Sequence, residues 1–360
     1  MEQESQAPET VTMAQGWEHY NALRMDQAKD VFQSLVDKDP SNYEARLALA
    51  RTYIRMRRED DAYEQAEACA RMQPERAEAY TCQGMVRFLQ DDLDEARDRL
   101  QQAILLDPDD PEPYLTLAQV MTDLKLYAES AAELQTARKL VAHITDDNQR
   151  RQLEASELHA RTYVLLNQNK VPEAMAIAKE LAEYEDETPY AACLAYSNLG
   201  LMEARLKHYD KSIEYLEKAY AMNPYFYRAG SALGRIYLVR GVVTKAAEVL
   251  GTVVANSPEV DAHTRHAYAA SLAKIGRRAE AIEQYRTALQ AGLKGLERLM
   301  ACWQLVWLSN VGRLVVIALA LAALAAWLIF GKPDGSTLAF VAVLLILFVM
   351  QRLLGRKRYH

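Results

Sequence analysis

Pro40, Pro74 and Pro108 stand 34 residues apart, and two further columns keep the same interval: Ala28, Ala62 and Ala96, with Ser130 next in register, and Gly16, Ala50, Gly84 and Ala118. A fixed period of this length means a chain assembled from one supersecondary unit used many times. A single unit leaves its apolar face uncovered, so neighbours have to stack. The interval returns at Gly200 and Gly234, at Ser212 and Ala246, and at Pro224 and Pro258. Between the two blocks residues 143–152 break register, and Val171-Pro172-Glu173-Ala174 opens a looser unit. A last unit around Ala281, Tyr285 and Ala288 runs one residue out of step and lacks the closing proline, which suits a terminal position.

Each unit reads as a pair of helices. From Tyr43, apolar residues recur at helical spacing as Ala45, Leu49 and Tyr53. A charged turn follows at Arg57-Arg58-Glu59-Asp60, and the stripe resumes at Ala62, Ala66, Cys69 and Ala70. Two antiparallel helices that cross closely need small side chains at the crossing, and proline after the second helix removes a backbone donor and stops it.

These features resemble the tetratricopeptide repeat (TPR) family. The small residue of the first helix, the early Ala and bulky residue of the second, and the closing Pro are met by Gly16, Ala28, Phe32 and Pro40, and again by Gly234, Ala246, Leu250 and Pro258. The first-helix Trp of the family pattern is absent; Tyr80, Tyr114 and Tyr196 stand there in some units. The resemblance implies an all-α superhelical solenoid of about eight units, with first helices lining its concave side. It covers most of residues 9–294. The expected layout is a tail at 1–8, units 1–4 over 9–142, an irregular connection over 143–154 and units 5–8 over 155–294.

On such a scaffold function resides in the variable inner face. The residues expected there are Met13, Trp17 and Tyr20, then Leu47, Arg51 and Ile54, then Met85 and Phe88, then Leu115 and Gln119. Aromatics, Met and Arg are residue types that anchor interfaces, so a protein or peptide partner is expected on this side. The other reading of the same stripe is plain packing between units. Family members that grip acidic chaperone termini use Lys and Asn at inner positions. Met13, Trp17 and Leu47 occupy such positions here, which argues against that ligand. Arg228, Ser231 and Arg235 give the later units a more polar inner face, where an acidic peptide could dock.

Residues 314–330 and 337–350 contain no charged side chain. Seventeen helical residues cover about 25 Å, and extension to residues 311–331 brings the first run close to the thickness of a hydrocarbon core, with Arg313 reaching toward headgroups. The second run extends over 337–354, and residues 332–336 form a polar turn. A two-span transmembrane hairpin is expected, followed by a basic tail at 355–360. Cations sit at its ends, Arg313 on one side and Arg352, Arg356, Lys357 and Arg358 on the other, so both chain ends are expected in the cytoplasm and the protein in the plasma or inner membrane. No mid-span ionisable residue suggests a transporter or channel. Before the hairpin, over residues 295–310, Leu296, Leu299, Met300, Trp303, Val306 and Trp307 make an apolar stripe. That helix either caps the solenoid or lies in the membrane interface with Trp303 and Trp307 at headgroup depth.

From Val311 onward six cations face the single acid Asp334, a net of +5, so the net charge of −7 for the whole chain leaves −12 on residues 1–310. Such an acidic region repels nucleic-acid phosphates. The first 20 residues lack the basic start and apolar run of a secretory signal, and Cys69, Cys82, Cys193 and Cys302 form no metal or redox pair; buried free thiols in a reducing compartment are expected. Phosphate-loop, nucleophile-elbow and zinc-helix motifs are missing, His263 and His266 read as surface residues, and the acidic run from Asp91 to Glu112 reads as polar turns. No enzyme, cofactor or metal site is expected. The sequence points to a membrane-anchored adaptor or scaffold for protein partners, or else to a permanent subunit of a larger membrane assembly, with homo- or hetero-oligomers open.

Overall fold

A computed structural model describes residues 11–257 and 260–309, together with residues 314, 315, 317, 318 and 322. Its helices come in antiparallel pairs: α1 (Met13–Asn21) with α2 (Met25–Lys38), α3 (Tyr43–Met56) with α4 (Glu59–Met72), α5 (Ala77–Leu89) with α6 (Leu93–Leu106), and α7 (Pro111–Asp123) with α8 (Tyr127–Ala142). Then follow α9 (Asp147–Asn167) with α10 (Val171–Ala182), α11 (Pro189–Arg205) with α12 (Tyr209–Met222), α13 (Tyr227–Arg240) and α14 (Val243–Asn256), α15 (Ala262–Lys274) with α16 (Arg278–Gln290), and α17 (Gly295–Leu308). No strand occurs among the described residues. The chain divides into two compact bodies, one up to Ile236 and one from Tyr237 onward.

Local chemistry sets the helix starts. Thr12 accepts from the Gln15 amide while the Gln15 side chain accepts from the Thr12 amide, a reciprocal cap on α1. Asn42, Asp92 and Asp110 cap α3, α6 and α7, and Pro111 opens α7 where no backbone donor is needed. Within residues 143–154, α9 begins at Asp147. Asp146 accepts from the Gln149 amide at 2.7 Å and starts α9 there, a cap that the broken period concealed.

The small-residue columns have a steric cause. A Cβ on Gly16, Gly84 or Gly200 would lie 2.2, 2.5 and 2.5 Å from the Phe32, Leu100 and Leu216 side chains, so each bulky second-helix residue nests on a first-helix glycine. In the alanine column, Ser130 and Ser212 donate to the carbonyls of Ala118 and Gly200 at 2.8 and 2.6 Å, which satisfies a buried hydroxyl at the crossing. Tyr80 and Tyr114, in the place of the family Trp, donate to the carbonyls of Pro74 and Pro108.

In the second body, α15 and α16 pack through Ala269, Leu272, Ala281, Tyr285 and Ala288, and α17 closes this cluster with Ala301, Leu305 and Leu308. The cap is therefore made by the side of α17 roughly opposite the stripe named from the sequence. Leu296 and Leu299 are 72% and 67% exposed. His263 pairs with Glu297 on α17, and His266 packs against the Tyr285 ring. Among the described residues no helix is long and apolar enough to cross a membrane. The expected hairpin of residues 311–354, the tail 355–360 and Arg313, Arg352, Arg356, Lys357 and Arg358 lie outside the described residues except for the single positions noted above, as does the tail 1–8.

Candidate functional site: the inner face of the first body

The inner residues of the early repeats are engaged with one another. Trp17 packs edge-on against Tyr20 and Phe32, with ring centroids 5.1 and 5.2 Å apart, and Met13 and Ile54 join the same core. Tyr20, Leu47 and Leu115 are buried. Arg51 of α3 reaches across to Glu112 of α7 in a two-pronged contact at 2.6 and 3.4 Å, and the nearby carboxylate pushes the guanidinium pKa further up. Phe88 meets Tyr163 of α9 edge-on at 6.0 Å, and Tyr163 donates to Asp123 at 2.7 Å. Gln119 donates to the Leu115 carbonyl of its own helix, and Met85 is partly buried.

Longer-range contacts close this side further. The Arg55 guanidinium lies between the Tyr20 ring at 3.7 Å and the Tyr190 ring at 4.1 Å, and it donates to the Tyr20 carbonyl. Arg57 covers the Tyr227 ring at 5.0 Å, and the Tyr225 hydroxyl bonds to Asp26 of α2. The first two repeats thus touch α11 and the start of α13.

The later repeats differ. Arg228 and Arg235 are exposed and have no acidic partner among the described residues. They lie two turns apart on α13, on one helix face. Close to them in the repeat pattern are side chains whose polar atoms have no hydrogen-bond partner from the chain: Ser231 Oγ, Ser197 Oγ, Asn198 Nδ2 and His159 Nδ1. Ser197, Asn198 and Ser231 are only 1%, 9% and 8% exposed. Burial pulls the His159 imidazole down to about 4, helped by the positive charge of Arg228.

His159, Ser197 and Asn198 escaped sequence reasoning, although a signal was present. The column three residues before the small position runs Met13, Leu47, Thr81, Leu115, His159, Ser197 and Ser231, changing from mostly apolar to polar. The column six before it runs Glu44, Glu78 and Glu112 and ends in Arg228. Arg76 binds Glu44 and Glu78, and Arg51 binds Glu112, so the chain neutralises those acids itself. In the described residues no group of three or more potential metal ligands converges. Chemically, the exposed guanidiniums of Arg228 and Arg235 can donate to a ligand, while the hydroxyls of Ser197 and Ser231, the Asn198 amide and the His159 nitrogen are buried beneath the surface.

Comparison with known proteins accords with this architecture. Models of the tetratricopeptide repeat match residues 22–84, 87–161 and 193–226. No curated protein sequence matches the chain. Among solved structures, the APC/C hetero-tetramer Cut9–Hcn1 superimposes over 81% of this chain with a TM-score of 0.56 at 14% identity, and this chain spans only about half, 54%, of the length matched. A human IFIT1 dimer with m7Gppp-AAAA gives 0.55 at 17% identity over 92% of this chain and 80% of the other. A human IFIT1 dimer with PPP-AAAA gives 0.53 at 17% over 92% and 77%. At these identities the likeness is one of fold. The chain carries tetratricopeptide repeats, stacked as an all-α helical solenoid.

Proposed function

We propose that this protein is a membrane-anchored scaffold that binds an acidic segment of a protein partner along the inner face of its later repeats and acts by binding rather than catalysis. The carrying observation is the exposed Arg228–Arg235 pair, on one face of α13 and without an acidic partner among the described residues, with the buried, unsatisfied Ser231 between the two in sequence. Two guanidiniums on one helix face favour a ligand that supplies carboxylates, to which each can make charge-assisted hydrogen bonds. The earlier repeats, engaged internally, serve as a rigid mount in this reading. Anchoring rests on the uncharged runs of residues 314–330 and 337–350 and on the cations around them, which favour cytoplasmic ends in the plasma or inner membrane. Holding a bound partner beside the bilayer raises its effective concentration for neighbouring membrane proteins.

The test is fluorescence anisotropy of the full chain with random-sequence peptides, either Asp/Glu-rich or Lys/Arg-rich. Acidic peptides should bind, more weakly as salt rises, and Arg228→Ala or Arg235→Ala should each cost about 5- to 10-fold in affinity. Binding indifferent to both substitutions removes this face from the function. A second reading, a permanent structural subunit, is favoured by the internally filled inner face of repeats 1–4. A monomer by size measurement in mild detergent excludes it.

A further inference from the structure

We infer that α17 is an interfacial helix that lies along the surface of an anionic bilayer. The inference deepens the anchoring reading and rests on it. The helix is apolar on two opposed sides. One is spent on the last repeat, where Ala301 is fully buried and Leu305 and Leu308 join the same cluster. The other carries Leu296, Leu299, Met300 and Val306 at 72%, 67%, 49% and 42% exposure, with the half-buried Trp303 and Trp307 between them. The two indoles stack nearly parallel with centroids 6.4 Å apart, side by side on the same face of the helix. A solvent-facing stripe of this composition is unfavourable in water and fits the boundary between headgroups and acyl chains, where Trp is enriched.

Two further observations identify lipid as the occupant. First, α17 ends at Leu308, and the uncharged run begins at Leu314, so the stripe sits where the chain would enter the bilayer. Leu314, Val315 and Ile317 are themselves helical and exposed. Second, charge is divided along the chain. Residues 237–309 hold nine Lys and Arg against six Asp and Glu, a net of +3, and the +5 beyond Val311 follows, which leaves −15 on residues 1–236. Anionic headgroups attract the part of the chain that carries α17 and repel the part that carries the inner face. The His263–Glu297 pair and the Ala301 contact tie α17 to the last repeat, so a helix flat on the membrane fixes the attitude of that repeat to the bilayer.

The chain holds four tryptophans, Trp17, Trp303, Trp307 and Trp327, which makes depth measurable. The full chain is reconstituted into vesicles of mixed zwitterionic and anionic phospholipid, brominated either near the headgroup or near the bilayer centre. Variants keep one Trp each, the others being changed to Phe, with helicity checked by circular dichroism. Trp303 should lose about half of its emission to the shallow bromines and much less to the deep ones, Trp307 should behave alike, and Trp17 should be unaffected. Leu296→Glu with Leu299→Glu, both at exposed positions, should abolish Trp303 quenching while that of Trp327 persists. Trp303 quenched no more than Trp17 overturns the inference, including the case of a blue-shifted but unquenched indole, which marks cover by protein instead. Deeper quenching of Trp303 than of Trp327 overturns the surface orientation. Trp327 reports separately on anchoring: if only Trp327 escapes quenching, the hairpin fails and the surface helix stands.

Discussion

At the scale of the residue, opposing effects give predictions of definite sign. Gly84→Ala raises helix propensity by about 1 kcal/mol. Yet the new Cβ would stand 2.5 Å from Leu100 Cγ and 3.3 Å from the Ala96 carbonyl. Forcing the crossing apart costs about 1–3 kcal/mol. The variant should therefore unfold at lower urea, and an unchanged or higher midpoint would mean that the helix pair is looser than its packing implies. His159 supplies a pH signature. Its folded pKa, about 4, lies below the ordinary value of 6.5, so the unfolded chain takes up the proton first as pH falls. The contribution of this group is undiminished above pH 6.5 and is lost progressively toward pH 4, about 2 kcal/mol by pH 5. Urea titrations at pH 7 and pH 5 should show His159→Gln losing less stability than the parent chain over that interval; equal losses would place the imidazole in contact with water.

At the scale of the element, Arg51 and Glu112 join α3 to α7 across an intervening repeat. Each side chain is under a third exposed, 29% and 28%, so removing one leaves the other charge poorly solvated. Arg51→Met or Glu112→Leu alone should cost about 2 kcal/mol, and the double variant less than their sum by about 1 kcal/mol or more. Strict additivity in the cycle would show that the pair contributes nothing. The helices themselves were legible in the sequence, because period, caps and closing prolines act over a few residues. The pairing of Arg51 with Glu112, of Phe88 with Tyr163 and of Arg55 with Tyr190 was not, since which inner residues meet depends on how the stacked repeats curve. The turns between paired helices were equally hidden. They use a left-handed residue at Leu23, Arg57, Asp91, Lys125, Asn169 and Lys207, a conformation usually marked by glycine. Of the candidate site, Arg228 and Arg235 were readable as exposed cations, whereas His159, Ser197 and Asn198 looked like ordinary helix residues until their burial was known.

At the scale of the whole molecule, a repeat array is usually treated as one-dimensional, each repeat sensing its neighbours alone. The first body departs from this because Tyr225 bonds to Asp26, 199 residues earlier, and Arg55 binds the ring of Tyr190. Asp26→Ala, at an exposed position on α2, should raise amide hydrogen exchange around residues 223–229, and Arg55→Ala should raise it along α11, each by about 10-fold. Changes confined to α1–α4 would mean that the distant contacts carry no energy. An open array tolerates duplication or loss of a repeat, for the stack merely lengthens or shortens. Here an insertion between the second and the sixth would swing Tyr190 away from Arg55 and Tyr225 away from Asp26. The number of repeats between those partners is thus held by a closure condition, like the number of links in a clasped bracelet, and evolutionary growth of this protein would be confined to segments outside the clasp.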